Sequence, residues 1–259
     1  VSKLRGQRAI ITGASGGVGR ALAVRLAQAG VSSVLIARRE EAILETVRLV
    51  EAAGGKAIPI VGDVTSAETR TRALDAARDE LGGLDLLINN AGVGAHGRFH
   101  ESDPASLRAI FELNVFAAAD LTREAVPLLQ KSPAACVANV GSVLGWRGVP
   151  QTAEYCASKF ALRGLSESIR PELRKLGIHV LHASPSTIAS DFKANLLEQR
   201  TQLAWAKRRG VTPERVADRL VQGIERRQNE VAILWEDWWF VRGARFVPWV
   251  FDRVLRRHG

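Results

Sequence analysis

Residues 8–30 read RAIITGASGGVGRALAVRLAQAG. The first five are apolar enough to predict a short buried strand. Gly13, Gly16, Gly17 and Gly19 crowd the positions that follow, and an apolar-periodic run then carries a helix to Gly30. Glycines at a strand-to-helix junction let the backbone turn tightly and let a ligand come close. The first N–H groups of the helix then face outward, where they suit a pyrophosphate. A glycine string alone is also an ordinary tight turn. The strand before it and the helix after it make it a dinucleotide signature.

The same alternation continues along the chain. Short apolar runs at 33–37, 57–61, 84–88, 135–140, 178–183 and 230–235 predict further strands. Helical patterns at 40–53, 66–81, 103–131, 153–176 and 212–226 separate them, the third with a break near Phe111. This order argues a single-domain α/β fold: a Rossmann-like, doubly wound parallel sheet of about seven strands flanked by helices. Residues 188–209 are expected to form a helical substrate lid that Gly210 ends. The expected catalytic body is 1–235, with 236–259 as an aromatic and basic extension.

Chemistry gathers at 142–159, SVLGWRGVPQTAEYCASK. Tyr155, the only tyrosine, precedes Lys159 by four residues, which puts both on one helix face. Ser142 follows the apolar run ACVANV. A hydroxyl, a phenol and an ammonium can thus meet at one strand end. The ammonium favours the phenolate and is expected to bring the phenol toward neutral pH. The serine can hold a substrate oxygen. That is acid–base equipment for interconverting a carbonyl and an alcohol. Asn114 sits inside the apolar stretch FELNVFAAADL, where its amide must be used. A water, a backbone carbonyl that helps position Lys159, or simple core satisfaction would each use it.

The second strand ends at Ala37-Arg38-Arg39, where a dinucleotide fold meets the adenosine ribose. A carboxylate there would accept from a 2′-hydroxyl and repel a 2′-phosphate; arginine does the reverse. The reading is therefore NADP(H), with Ser15 and Arg39 assisting. Asp63 is placed either to accept from the adenine amino group or to begin the next helix. Asn89-Asn90-Ala91-Gly92 makes a small-residue turn that suits a coenzyme, unless Asn89 only stabilises the turn. Thr187 or Ser190 is available to a nicotinamide amide.

In order along the chain, TGASGGVG at 12–19, NNAG at 89–92, Asn114, Ser142 and Tyr155-Cys156-Ala157-Ser158-Lys159 resemble the short-chain dehydrogenase/reductase family over about 4–234. The resemblance implies Tyr155 as catalytic acid/base, Ser142 as the residue positioning the carbonyl and Asn114 as holder of a relay water. Lys159 would lower the phenol's pKa and bind the nicotinamide ribose. The implied coenzyme bed is Gly13, Ser15, Gly16, Gly17, Val18 and Gly19. Arg38, Arg39, Asp63 and Val64 would lie at its adenosine end, and Asn89, Ala91 and Gly92 under its middle. Pro185, Ser186, Thr187 and Ser190 would lie at the nicotinamide end. Ala-Arg-Arg at 37–39 looks like the NADP(H)-preferring branch. The chain departs from the family at Pro185-Ser186, where Pro-Gly is usual, which leaves open whether Thr187 or Ser190 meets the carboxamide. The family also implies a homodimer or homotetramer through helices near 104–131 and 153–176.

The cleft walls hold His96, Leu144, Trp146, Val149, Phe192, Leu196 and Trp205. This apolar set, with Ser142, favours a small hydrophobic ketone, aldehyde or alcohol. Two rivals are a dinucleotide-binding scaffold without turnover and an epimerase or dehydratase on the same fold. The intact Asn114, Ser142, Tyr155 and Lys159 set weighs against the first. The want of an extra carboxylate placed to take a proton from carbon weighs against the second.

At 259 residues the chain is near the upper size for one core. Its net charge of +9 comes from scattered Lys and Arg without a zinc-finger or basic-zipper pattern, so no nucleic-acid partner is expected. Cys136 and Cys156 form neither a disulfide framework nor a metal motif, and no metal is expected. No spanning segment or signal peptide is visible, and a reducing, cytoplasmic setting is expected. The chain opens on Val1 without any methionine, so a trimmed native start is expected, with any lost targeting segment left open. Residues 235–251 hold seven of the fifteen aromatics, with Arg242, Arg245, Arg253, Arg256 and Arg257 close by. Tryptophan with arginine suits peripheral membrane contact through 235–257, a subunit contact or a pocket lid.

Overall fold

The computed structural model describes residues 2–189, 196–201, 210–246 and 248–255. Seven strands form one parallel sheet: β1 (Arg8–Thr12), β2 (Ser32–Ala37), β3 (Ala57–Val61), β4 (Leu86–Asn89), β6 (Cys136–Val140), β7 (His179–Ser184) and β9 (Glu230–Ala232). Their order is β3-β2-β1-β4-β6-β7-β9. The fold is a single-domain Rossmann-like α/β sheet of seven strands, as the alternation predicts. A separate parallel pair joins β5 (Gly94–His96) to β8 (Leu196–Gln199).

Side chains alternate across the main sheet, as a strand's period of two requires. Ala9 and Ile11 face one way, into a core with Leu22 and Leu26 of α1 (Gly17–Gln28), Ile43 of α2 (Glu40–Ala52) and Leu220 of α7 (Pro213–Glu225). Ile10 faces the other way, toward Ala73 of α3 (Ala67–Asp79), Leu121 of α5 (Ala117–Leu129) and Leu173 of α6 (Ala153–Lys175). Full burial of each such Ile or Leu contributes about 1.5–3 kcal/mol. Helices on both faces explain why the strands read as unbroken apolar runs.

The chain winds outward from β1 through β2 to β3, then returns to β4 on the other side of β1. That reversal leaves a crevice beyond the carboxyl ends of β1 and β4. The glycine turn and the 89–94 turn both open onto it.

Three expectations change. The helix expected over 103–131 is α4 (Pro104–Phe111), a π-helical stretch at Glu112–Phe116, and α5. The break near Phe111 is thus a change of winding. The lid expected to be helical contains β8 among its described residues. Arg200 N donates to His96 O over 2.8 Å, and Ser106 donates to Glu198, so non-local pairing overrides helical pattern. The last strand stops at Ala232, and Trp235 begins α8 (Trp235–Phe246), followed by α9 (Pro248–Leu255).

Candidate active site

The glycine turn leaves no room for side chains. Gly13 holds φ at +67°, and a Cβ on Gly19 would stand 2.2 Å from Gly13 O. Gly16 precedes α1 without any side-chain cap, so the first N–H groups of that helix stay open to an anion. Arg20 braces the turn by donating to Ser15 O and Ala42 O at 2.9 and 3.1 Å. Thr12 locks the neighbouring turn: its Oγ1 accepts from Asn90 N and Ala91 N, each at 2.9 Å. Asn90 Nδ2 donates back to Thr12 O at 2.9 Å. This cradle fits a dinucleotide pyrophosphate.

At the end of β6, Ser142 stands beside the Tyr155 phenol, close enough for its hydroxyl to favour the ionised form. Ser142 is fixed by accepting from Leu144 N at 3.1 Å, and Val143 N donates to Pro185 O at 3.0 Å. Lys159 is buried, donates from Nζ to Val140 O at 3.0 Å, and lies 5.6 Å from the Tyr155 ring centroid. A Cβ on Gly92 would meet Asn114 Oδ1 at 3.2 Å and Lys159 Nζ at 3.5 Å, so the 89–94 turn reaches this cluster. Serine, phenol and ammonium therefore gather beside the glycine crevice, an arrangement able to move a proton at a bound oxygen.

The short chain dehydrogenase family model matches residues 7–201. The chain belongs to that family. It is 33% identical over 253 residues to an uncharacterized oxidoreductase of Myxococcus xanthus (strain DK1622), covering 96% of each chain. It is 31% identical over 234 residues to the ketoacyl reductase HetN of Nostoc sp., covering 90% of this chain and 80% of that one. A short chain dehydrogenase/reductase from Burkholderia phymatum, solved in complex with NAD, superposes with a TM-score of 0.86 at 28% identity, over 93% of this chain and 94% of the other. The family and fold make this an oxidoreductase scaffold for hydride transfer on small substrates, with a nicotinamide dinucleotide as the cofactor class.

Within this short-chain dehydrogenase, the site residues have the following surroundings. In the free protein burial raises the Tyr155 phenol to about 12, against a lowering influence of Ser142. Burial also pushes the Lys159 ammonium down to about 8. Asn114 spends its amide within the protein: Oδ1 accepts from Val93 N, and Nδ2 donates to Val93 O and Ser158 Oγ, all at 2.9 Å. Asn89 is buried under the turn and donates to Asn139 Oδ1 at 2.8 Å and Thr122 Oγ1 at 3.0 Å. Its neighbour Asn90 braces the glycine turn instead. Val18 and Val64 are core side chains.

At the adenosine end, Asp63 Oδ1 accepts from Thr65 N and Oγ1 at 3.0 and 2.9 Å, while its other oxygen faces Arg38 at 3.7 Å. Ser66 occupies the N-cap position of α3, so Asp63 does not begin the helix. Arg39 Nη2 reaches Ser15 Oγ at 3.4 Å. At the other end, Ser186 lies near the buried Asp237 of α8 and lowers its pKa, and Thr187 O accepts from Val211 N at 2.9 Å. Trp146 donates to Ser184 Oγ at 2.9 Å and stacks under Arg163, whose guanidinium carbon is 3.3 Å from the ring centroid. Leu144, Val149, His96 and Leu196 are half-buried on the expected wall segments. Ser190, Phe192 and Trp205 lie outside the described residues. Thr12, Arg20, Asn90 and Ser158 were not singled out by sequence reasoning, although three of them stand inside the quoted motifs. No group of three or more metal-ligating side chains occurs among the described residues.

Proposed function

We propose that this short-chain dehydrogenase is an NADP(H)-dependent oxidoreductase that interconverts a hydrophobic ketone or aldehyde and its alcohol. The observation that carries the reading is the gathering of Ser142, the Tyr155 phenol and the Lys159 ammonium, 5.6 Å from the ring centroid, at the edge of the glycine crevice. Gly13 and residues 15–19 would hold the pyrophosphate. Arg38 and Arg39 would meet the 2′-phosphate, Lys159 the nicotinamide ribose, and residues 185–187 the amide. When bound, the nicotinamide supplies or takes the hydride.

The chain's own residues handle the proton. Tyr155 gives it to the substrate oxygen in reduction and takes it back in oxidation. Ser142 holds that oxygen with its hydroxyl, which stands beside the phenol. The Lys159 ammonium steadies the phenolate as it forms. The half-buried Leu144, Val149 and Leu196 suit an apolar substrate, and the relative HetN is named for a carbonyl reduction. Phe116 and Phe160, 51% and 42% exposed on the paired central helices, support a homodimer or homotetramer. Catalysis belongs to 1–235, and 235–257 makes peripheral membrane contact.

A panel of hydrophobic ketones and aldehydes with NADPH tests this. Turnover is expected with the intact chain. Tyr155→Phe is expected to lose about 10²–10⁴-fold of it while NADPH still binds. Equal turnover in that variant would overturn the reading.

A further inference from the structure

Trp235, Trp239 and Phe246 recur at spacings of four and seven along α8, which places them on one helix face. They are 70%, 59% and 72% exposed. Trp249 on α9 adds another ring at 69%. The helices are nevertheless anchored. Asp237, on another face of α8, is buried near Ser186 and accepts from Leu234 N at 3.0 Å. Arg147 pairs with Asp252 of α9, and α8 packs on the turn at Val143–Gly145. The aromatic face thus points outward while the helix is held by its other side.

We propose that α8 and α9 lie in the interface of an anionic lipid bilayer, with Trp235, Trp239, Phe246 and Trp249 entering the headgroup layer. An exposed aromatic cluster of this kind marks an interaction surface. Tryptophan is the side chain best suited to the boundary between headgroups and hydrocarbon. Residues 235–259 carry five arginines against three acids, of which Asp237 is buried and Asp252 is paired. The whole chain is at +9, which attracts an anionic surface and opposes self-association of this face. No helix among the described residues is long and apolar enough to cross a membrane, so the helices would lie in the plane.

The consequence for function follows from the anchors. Arg147 and the turn at Val143–Gly145 belong to the expected cleft wall over 143–150, and Ser186 to the expected nicotinamide end. The helices that touch lipid are therefore bonded to the segments that receive substrate, and the substrate class becomes an apolar carbonyl or alcohol that partitions into the bilayer. This last step rests on the functional reading above; the docking surface does not.

The full chain should be tested by co-sedimentation with vesicles of phosphatidylcholine alone and of phosphatidylcholine with phosphatidylglycerol. Binding is expected to the anionic vesicles at low salt and to weaken with salt. Trp235→Ser combined with Trp249→Ser should weaken it at least about tenfold, because both rings are exposed. The same variant should keep NADPH-dependent turnover of a water-soluble aldehyde and its size in solution. No binding at low salt, or binding unchanged in the variant, would overturn the proposal. A variant of altered oligomeric mass would reassign the face to a second copy and also overturn it. Vesicle binding by a chain that turns over no carbonyl would uphold the surface and sink the enzymatic reading alone.

Discussion

Asn114 Nδ2 donates to Ser158 Oγ over 2.9 Å, and Ser158 Oγ donates to Tyr155 O over 2.8 Å. One amide thereby ties the π-helical stretch to the first turns of α6, three residues after Tyr155 and one before Lys159. The same amide also satisfies both backbone groups of Val93. Asn114→Ala would strand these buried partners, and each unpaired group costs about 1–3 kcal/mol. The variant is expected to lower Tm by roughly 5–10 °C for a chain of this size and to reduce turnover. Thermal unfolding followed by circular dichroism checks it. An unchanged Tm would show that the bonds to Val93 and Ser158 are replaceable.

Lys159 supplies a pH signature. Its ammonium titrates at about 8, because burial disfavours the charge, whereas the Tyr155 phenol stays protonated to about 12. In the proposed mechanism, reduction needs both the phenolic proton and the positive charge beneath it. In the free enzyme kcat/KM for reduction should be level below about 8 and decline above it as the ammonium is lost. The stability sign is opposite to that of a paired lysine. A depressed folded pKa means that charging the buried amine opposes folding below about 8, and that this cost fades as pH rises toward the unfolded value. Lys159→Met should therefore lose turnover and raise Tm near neutral pH. A Tm lower than that of the parent at every pH would contradict the burial argument.

Arg38 has a side chain 62% exposed and stands 3.7 Å from Asp63. Such a pair contributes little, about 0–1 kcal/mol, so the guanidinium can turn to a phosphate. Arg38→Ala should weaken NADPH at least about tenfold and leave NADH nearly unchanged, since a charge-assisted hydrogen bond contributes about 1.5–3 kcal/mol. Asp63→Asn should shift preference further toward NADPH by removing a competing carboxylate. Fluorescence titration with both coenzymes reads the two effects. Equal losses for NADPH and NADH in Arg38→Ala would remove the 2′-phosphate from the reading.

How far the sequence could be read depends on whether the signal is local. Strand, glycine turn and helix at 8–30 were legible because the periodicity and the glycines are neighbours in the chain. Ser142, Tyr155 and Lys159 were legible for the same reason, through one strand end and one helical turn. The pairing of β5 with β8 was hidden, because β8 forms only against a strand about a hundred residues away. Asn89 and Asn90 show a finer limit. Successive strand residues point to opposite sides, so the register decides which amide is buried against Asn139 and which reaches Thr12. A second asparagine inside the buried run at Cys136–Val140 was the available clue. The approach of Ser186 to Asp237 and the burial that sets the Tyr155 pKa are properties of tertiary packing and leave no local trace.

Arg8 and Asp85 set the acid limit of the fold. Asp85 is buried between β1 and β4, and burial alone would raise its pKa. Hydrogen bonds outweigh that effect and hold it below the ordinary value: Arg8 donates from N, Nε and Nη2 at 2.8, 2.7 and 3.0 Å, and Ser132 Oγ donates at 2.5 Å. A depressed carboxylate stabilises the folded state above its unfolded pKa, near 3.9, and that contribution disappears as pH falls through the folded value. Removing one partner leaves a poorly compensated guanidinium, so Asp85→Asn should cost about 3 kcal/mol near neutral pH. The loss should shrink as pH falls below about 4, because the parent's unfolded chain then takes up a proton at Asp85 that the folded chain resists, which withdraws the carboxylate's contribution to stability. Urea titrations of both chains from pH 3 to pH 7, in steps of roughly one unit, check this. Parallel stability curves across that range would show that the ionised form of Asp85 does not hold β1 to β4.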